Sequence, residues 1–186
     1  AWFGSYIATI LERDVRDISN VHQLHELPRL LRLIAARSAS VLNEADLARD
    51  AELPHTSLRR YWALLEAVYF VRTFLAWSGN PTARLAKAPK ALLLDPGLQC
   101  SLLDLDESRL LHDDMLAGAA LETFVGTELI KQASWSRTRP SMYHFSARLS
   151  GSLLTSIQSG RLGSRYRAYS FPGVAKYAGE AAKPVT

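Results

Sequence analysis

The sequence predicts an α+β fold whose first half is a winged helix-turn-helix, and three observations in residues 41–77 predict it. In LNEADLARDA, Asn43 is placed to cap a short helix by accepting backbone N–H bonds. Glu44 and Asp46 suit its positive end, and Leu42, Ala45, Leu47 and Ala48 give it an apolar side. Glu52, Leu53 and Pro54 then read as a tight turn. A second helix begins at Thr56 or Ser57, with Leu58, Tyr61, Trp62 and Leu65 at helical spacing and Thr56, Arg59, Arg60 and Ala63 on the opposite face. After Ala67 the pattern changes to a β-rich run, Tyr69 to Leu75, which ends at Trp77-Ser78-Gly79-Asn80-Pro81.

The remaining elements follow in chain order. Residues 1–22 open with a helix, Phe3, Ile7 and Ile10 on one stripe, and Glu12 with Arg16 and Arg13 with Asp17 as i,i+4 pairs. With no methionine at its start, this helix reads as a link to a preceding domain, and Arg13 and Arg16 are candidates for that contact. Residues 24–37 form the supporting helix, Pro28 in its first turn and Leu27, Leu30, Leu31 and Ile34 facing inward. His22 and His25 share one side of a turn, but nothing placed nearby completes a zinc site. Arg84 to Lys87 are expected as the returning strand of the wing, closing a unit over 23–87. Past a boundary near Ala88, Lys90 to Leu94 read as a buried strand and Leu98 to Leu103 as a short helix. Leu116 to Trp135 read as the long helix of a second domain, 88–145. Its core stripe is expected to be Leu121, Phe124, Val125, Leu129 and Gln132, with Glu128 on the same stripe. A carboxylate there needs a partner. Residues 140–145 are β-type. From Ser146 to the end the composition shifts to Ser, Gly, Ala and Arg without a sustained period, so residues 146–186 are expected to bury little and to be poorly ordered.

Composition limits the function. The chain has 186 residues, 48% of them apolar, and no apolar run of about eighteen residues, which speaks against a membrane span and against a membrane partner. The single cysteine, Cys100, excludes an internal disulfide and points to a reducing cytoplasm. The net charge of +4 is uneven: 16 basic and 17 acidic residues precede Phe145, and six basic residues with only Glu180 follow. The basic isoelectric point therefore belongs to the tail and is no argument for nucleic-acid binding by the body. No phosphate-binding Gly-x-x-x-x-Gly-Lys-Ser/Thr loop occurs, nor Gly-x-Gly-x-x-Gly, His-Glu-x-x-His or Gly-x-Ser-x-Gly. Paired acids such as Asp104 with Asp106 and Asp113 with Asp114 sit where helix capping explains them. No catalytic residue is assigned.

Read in order, LERDVRDISNV, LPRLLRLIAAR, LNEADLARDAEL, SLRRYWALLEAVYFV, KAPKALLLDPGL and LAGAALETFVGTELIKQ followed by YHF resemble the C-terminal half of prokaryotic AAA-type ATP-binding proteins. That half is the region called domain of unknown function 4143, and the resemblance covers about Trp2 to Phe145. It implies a P-loop ATPase domain ahead of this region, to which ATP and Mg would belong. This chain itself would carry no cofactor and no metal. It also implies that a truncated restriction-endonuclease-like α/β domain follows the winged helix-turn-helix. Glu122 and Glu128 match the family's acids on the first helix of that domain and are the candidate remnant of a nuclease-like site. The acids and lysine that family members carry after the YHF strand are missing, which points to a shifted reading frame or a diverged terminus.

Three functions follow from these readings. The chain is a regulatory or interaction region of an AAA-type ATP-binding protein, non-catalytic by itself, whose partner is its own ATPase domain or another protein. Alternatively it is a DNA-binding winged-helix module, reading duplex DNA through Thr56, Ser57, Arg59 and Arg60, with Arg72 and Arg84 on the wing near phosphate. The third is a remnant of a metal-dependent nuclease.

Overall fold

A computed structural model describes residues 2–10, 13, 26–137, 140–149, 152–160 and 167–170. The fold mixes helices with two small antiparallel sheets, an α+β arrangement. In chain order the described elements are α1 (Trp2–Ile10), α2 (Leu27–Ala36), β1 (Ser40–Val41), α3 (Glu44–Ala51), α4 (His55–Ala67) and β2 (Val71–Phe74). There follow α5 (Pro81–Ala86), β3 (Lys90–Leu93), α6 (Pro96–Leu102), α7 (Glu107–His112), α8 (Asp114–Trp135), β4 (Ser141–Leu149), β5 (Ser152–Gly160) and β6 (Arg167–Ser170).

The core is assembled by the first half. Leu27, Leu30, Leu31 and Ile34 recur on one face of α2 and are fully buried against Leu47 of α3 and Leu58, Tyr61 and Leu65 of α4. Asn43 caps α3 as its sequence position requires, its side-chain oxygen accepting from the N–H groups of Ala45 (3.1 Å) and Asp46 (3.2 Å). The chain leaves α3 through Glu52 in the left-handed region, φ 58°, and α4 begins one residue after Pro54. A second left-handed residue, Tyr69, lets Phe70 N–H turn back to Leu65 O (2.9 Å) and launches β2.

The first sheet has the order β1-β3-β2, with Ser40 opposite Ala91 and Val71 opposite Leu93. The returning strand is therefore β3, not residues 84–87. Asn80 and Pro81 form a helix start, the Asn80 side chain accepting from Thr82 N–H (2.9 Å), and this carries Arg84 and its neighbours into α5. All four residues of β3 are buried, as befits a middle strand covered on both faces. A boundary near Ala88 would separate β3 from the sheet of which it is the middle strand, and Ala91, Leu93 and Leu98 from the core they share with α2 and α4.

The long helix α8 packs on this sheet with a different face from the one its apolar residues suggest. Glu122, Thr123, Gly126 and Thr127 are buried, whereas Leu121 and Phe124 are 41% and 49% exposed. Small and hydroxylic side chains let the helix approach closely. Thr123 Oγ1 bonds to Ser38 Oγ (2.8 Å), and Glu122 reaches Lys90. Glu128, expected on the core stripe, lies half-buried on another face and pairs with Lys131 at 2.7 Å.

The second sheet, β4-β5-β6, follows α8. It occupies part of the segment whose composition suggested little order, since β4 runs to Leu149 opposite Ser152 of β5, and Ser156 of β5 faces Ser170 of β6. The backbone of β4 also meets the chain after β2. His144 N–H donates to Leu75 O (3.0 Å), and Trp77 N–H donates to His144 O (2.6 Å).

Candidate interaction surface

The exposed side of α3 and α4 gathers most of the polar residues that the sequence marked for nucleic-acid contact. Thr56, Arg59 and Arg60 are exposed and Ser57 is half-buried. Arg59 is open to water and its Nε donates to Glu44 Oε2 (2.9 Å), and the same carboxylate oxygen lies 3.1 Å from His55 Nε2. Arg60 stands over the ring of its neighbour Tyr61, 5.5 Å from the centroid. Between the two helices, Glu44, Leu58, Arg59, Trp62, Ala63 and Glu66 line an open cleft of about 250 Å³. Its floor is fixed by a short relay in which Trp62 Nε1–H donates to Thr73 Oγ1 (3.1 Å) and the Thr73 hydroxyl donates to Glu66 Oε1 (2.6 Å). The cleft is thus aromatic at its centre and carries two carboxylates and one guanidinium.

The two arginines expected on a wing separate. Arg72 is exposed on β2. Arg84 is 9% exposed, its guanidinium lying 4.4 Å from the Trp77 ring centroid and 5.1 Å from that of Tyr143. Its Nε donates to Ser78 O, so Arg84 ties the region around α5 to β4 and reaches no outer surface.

The two carboxylates marked as a site remnant also part company. Glu122 is buried with Lys90, an ion pair between α8 and β3 in which the lysine has no exposure at all. Burial pushes the Glu122 carboxyl up and the Lys90 ammonium down, and each charge pulls the other back. Glu128 belongs to another face of the helix. Among the described residues no group of three or more His, Cys, Asp or Glu side chains is placed to hold a metal ion. At the N-terminus, Arg13 borders a groove of about 400 Å³ with Trp2 and Tyr6, which stack at 5.2 Å; Arg16, His22 and His25 lie outside the described residues.

Sequence reasoning passed over Lys90 and Glu66. The signal for Lys90 was available, since a lone cation in the otherwise apolar strand KALLL demands a buried anion. Glu66 gave no such signal, because its partner Thr73 lies beyond the turn.

A sequence profile of one protein family matches residues 1–109, well over half of the chain. The chain belongs to the DUF8612 family, a domain of unknown function. The DUF8612 match spans α1 through the start of α7, and so contains the core, the first sheet and the α3–α4 cleft. It overturns the resemblance to domain of unknown function 4143, and with it the link to AAA-type ATP-binding proteins. The motifs that carried that resemblance are capped helices and apolar stripes, which are imposed by packing one helical unit on a small sheet and do not specify a lineage. Two relatives, uncharacterized proteins of Mycobacterium bovis and Mycobacterium tuberculosis, are each 31% identical over 129 residues, 69% of this chain and 29% of theirs. The chain therefore spans less than a third of the length of the curated relatives it matches. No solved structure matches. No helix among the described residues is long and apolar enough to cross a membrane.

Proposed function

We propose that this DUF8612 chain is a non-catalytic interaction module built on a winged helix-turn-helix, and that its α3–α4 face receives a protein partner in preference to a DNA duplex. Support for the winged-helix reading is the element order helix, strand, helix, helix, strand, strand with sheet order β1-β3-β2, interrupted in the wing by α5. The observation that carries the choice of partner is the placement of two carboxylates, Glu44 and Glu66, among the α4 cations, Glu44 in contact with Arg59. With Arg84 covered by Trp77 and Tyr143, the exposed cations of the α4 and wing surface are Arg59, Arg60, Arg72 and Lys87, beside the carboxylates Glu44 and Glu66. Duplex affinity depends on the phosphates neutralised, with a salt slope of about −0.9 for each. Four cations, one of them in contact with Glu44, offset by two carboxylates supply little of that. An aromatic-centred cleft with mixed charges suits the polar and apolar mixture of a protein surface.

Titration of duplex DNA at two salt concentrations tests the reading. The expected result is no saturable binding at micromolar protein and no effect of Arg59→Ala with Arg60→Ala. Saturable binding with a slope steeper than about −3, flattened by that double change, would establish a DNA reader instead. In parallel, a photo-crosslinker at Ala63 is expected to give discrete protein adducts in the host cell that Trp62→Ala removes.

A further inference from the structure

The open face of α8 carries a self-complementary pattern. Ala117, Leu121, Phe124, Glu128, Lys131 and Trp135 follow one another at alternating spacings of four and three residues, the repeat that keeps one stripe of a helix toward a partner helix. This stripe faces away from the sheet, since α8 buries Glu122, Thr123, Gly126 and Thr127 instead. Leu121, Phe124 and Trp135 are exposed on it, Trp135 by 71%. At its centre Glu128 and Lys131 pair within the helix at 2.7 Å, both open to water, where such a pair contributes little.

We propose that this stripe is a dimerisation surface on which a second copy of the chain lays its own α8 antiparallel, about a two-fold axis between Leu129 and Ile130. In that register Glu128 of one copy faces Lys131 of the other, twice by symmetry, and Phe124 faces Trp135. Both pairs straddle the same midpoint, so one register satisfies the charges and the aromatic rings together. A two-fold contact requires that a surface complement itself. The order apolar, acid, base, apolar along the stripe meets that requirement for antiparallel helices. In a parallel in-register pair the same stripe would set Glu128 against Glu128 and Lys131 against Lys131. The two internal ion pairs, one in each copy, exchange for two intermolecular ones, while the flanking aromatic rings leave water and contribute the attraction. The surface is separate from the α3–α4 cleft, so either reading can fail without the other.

Sedimentation equilibrium of the whole chain from micromolar to sub-millimolar concentration tests the proposal, with far-UV circular dichroism confirming that each variant keeps its helices. A reversible dimer is expected. Glu128→Lys alone and Lys131→Glu alone are each expected to raise its dissociation constant about tenfold or more by setting like charges opposite one another, and the double swap to restore it. Phe124→Ser is expected to weaken it as well. A monomer at every concentration would overturn the proposal, as would a dimer indifferent to both single charge changes, or one that the double swap fails to restore.

Discussion

A lysine with no exposure is the most demanding residue in the structure, and Glu122 is what makes it tolerable. The pair joins β3 to α8, and neither charge has enough water to survive alone. Lys90→Met is therefore expected to destabilise the fold by about 3–5 kcal/mol at neutral pH, because it strands a buried carboxylate. Replacing both residues with apolar ones of similar volume is expected to cost far less. The penalty of the single change has a pH signature. The folded Glu122 carboxyl titrates above its unfolded value of 4.5 and rises further without the lysine, so the folded state binds the proton first. The deficit is full above the folded value and shrinks as pH falls through it, which urea unfolding at several pH values will read. Local chemistry of this kind was legible only where partners are neighbours in sequence. Asn43 could be placed as a cap because its acceptors lie two and three residues on, whereas Lys90 and Glu122 meet across a turn, two helices and their connections.

At the scale of elements, α3 depends on its cap. Asn43→Ala removes the acceptor for two N–H groups and is expected to cost about 1 kcal/mol, while Asn43→Asp retains most of it; thermal unfolding of the two variants checks both. Periodicity located α2, α3, α4 and α8 correctly, because an apolar repeat of 3.6 residues is a property of each segment taken alone. It assigned the buried face of α8 only in part. Leu121 and Phe124 mark its open side, whereas Leu129, expected in the core, does pack with Ile130 against Ala39, Phe74 and Leu92; the fully buried side is made of Thr, Gly and one carboxylate, whose value for close approach depends on Ser38 and Lys90 opposite. The wing failed for a related reason. Arg84 to Lys87 are expected as the closing strand, yet Asn80-Pro81 is a helix start that carries the chain through Ala86, and the local signal prevailed over the topology expected around it.

For the molecule as a whole, His144 is the joint between the two sheets. Its backbone bonds to both sides of Ala76, its Nε2 lies 3.1 Å from Ala88 O, and its Nδ1 is buried with no partner among the described residues. Burial lowers its pKa, with Lys90 and Lys87 acting in the same direction and the Ala88 carbonyl opposing. An imidazole that resists protonation in the folded state takes its proton in the unfolded state first. Its contribution to stability is thus intact above the unfolded value of 6.5 and lost progressively as pH falls below it. The unfolding temperature is expected to drop between about pH 7.5 and pH 5.5, and His144→Gln to flatten that drop, in melts followed by Trp fluorescence. The middle position of β3 has a consequence for how the chain is made. Ser40 and Val71 leave the ribosome well before Ala91 and Leu93, the residues that bridge them, so two short edges wait without a neighbour while α5 is being synthesised. A nascent chain stalled short of Lys90 would hold its helices but present those edges to whatever else is in reach.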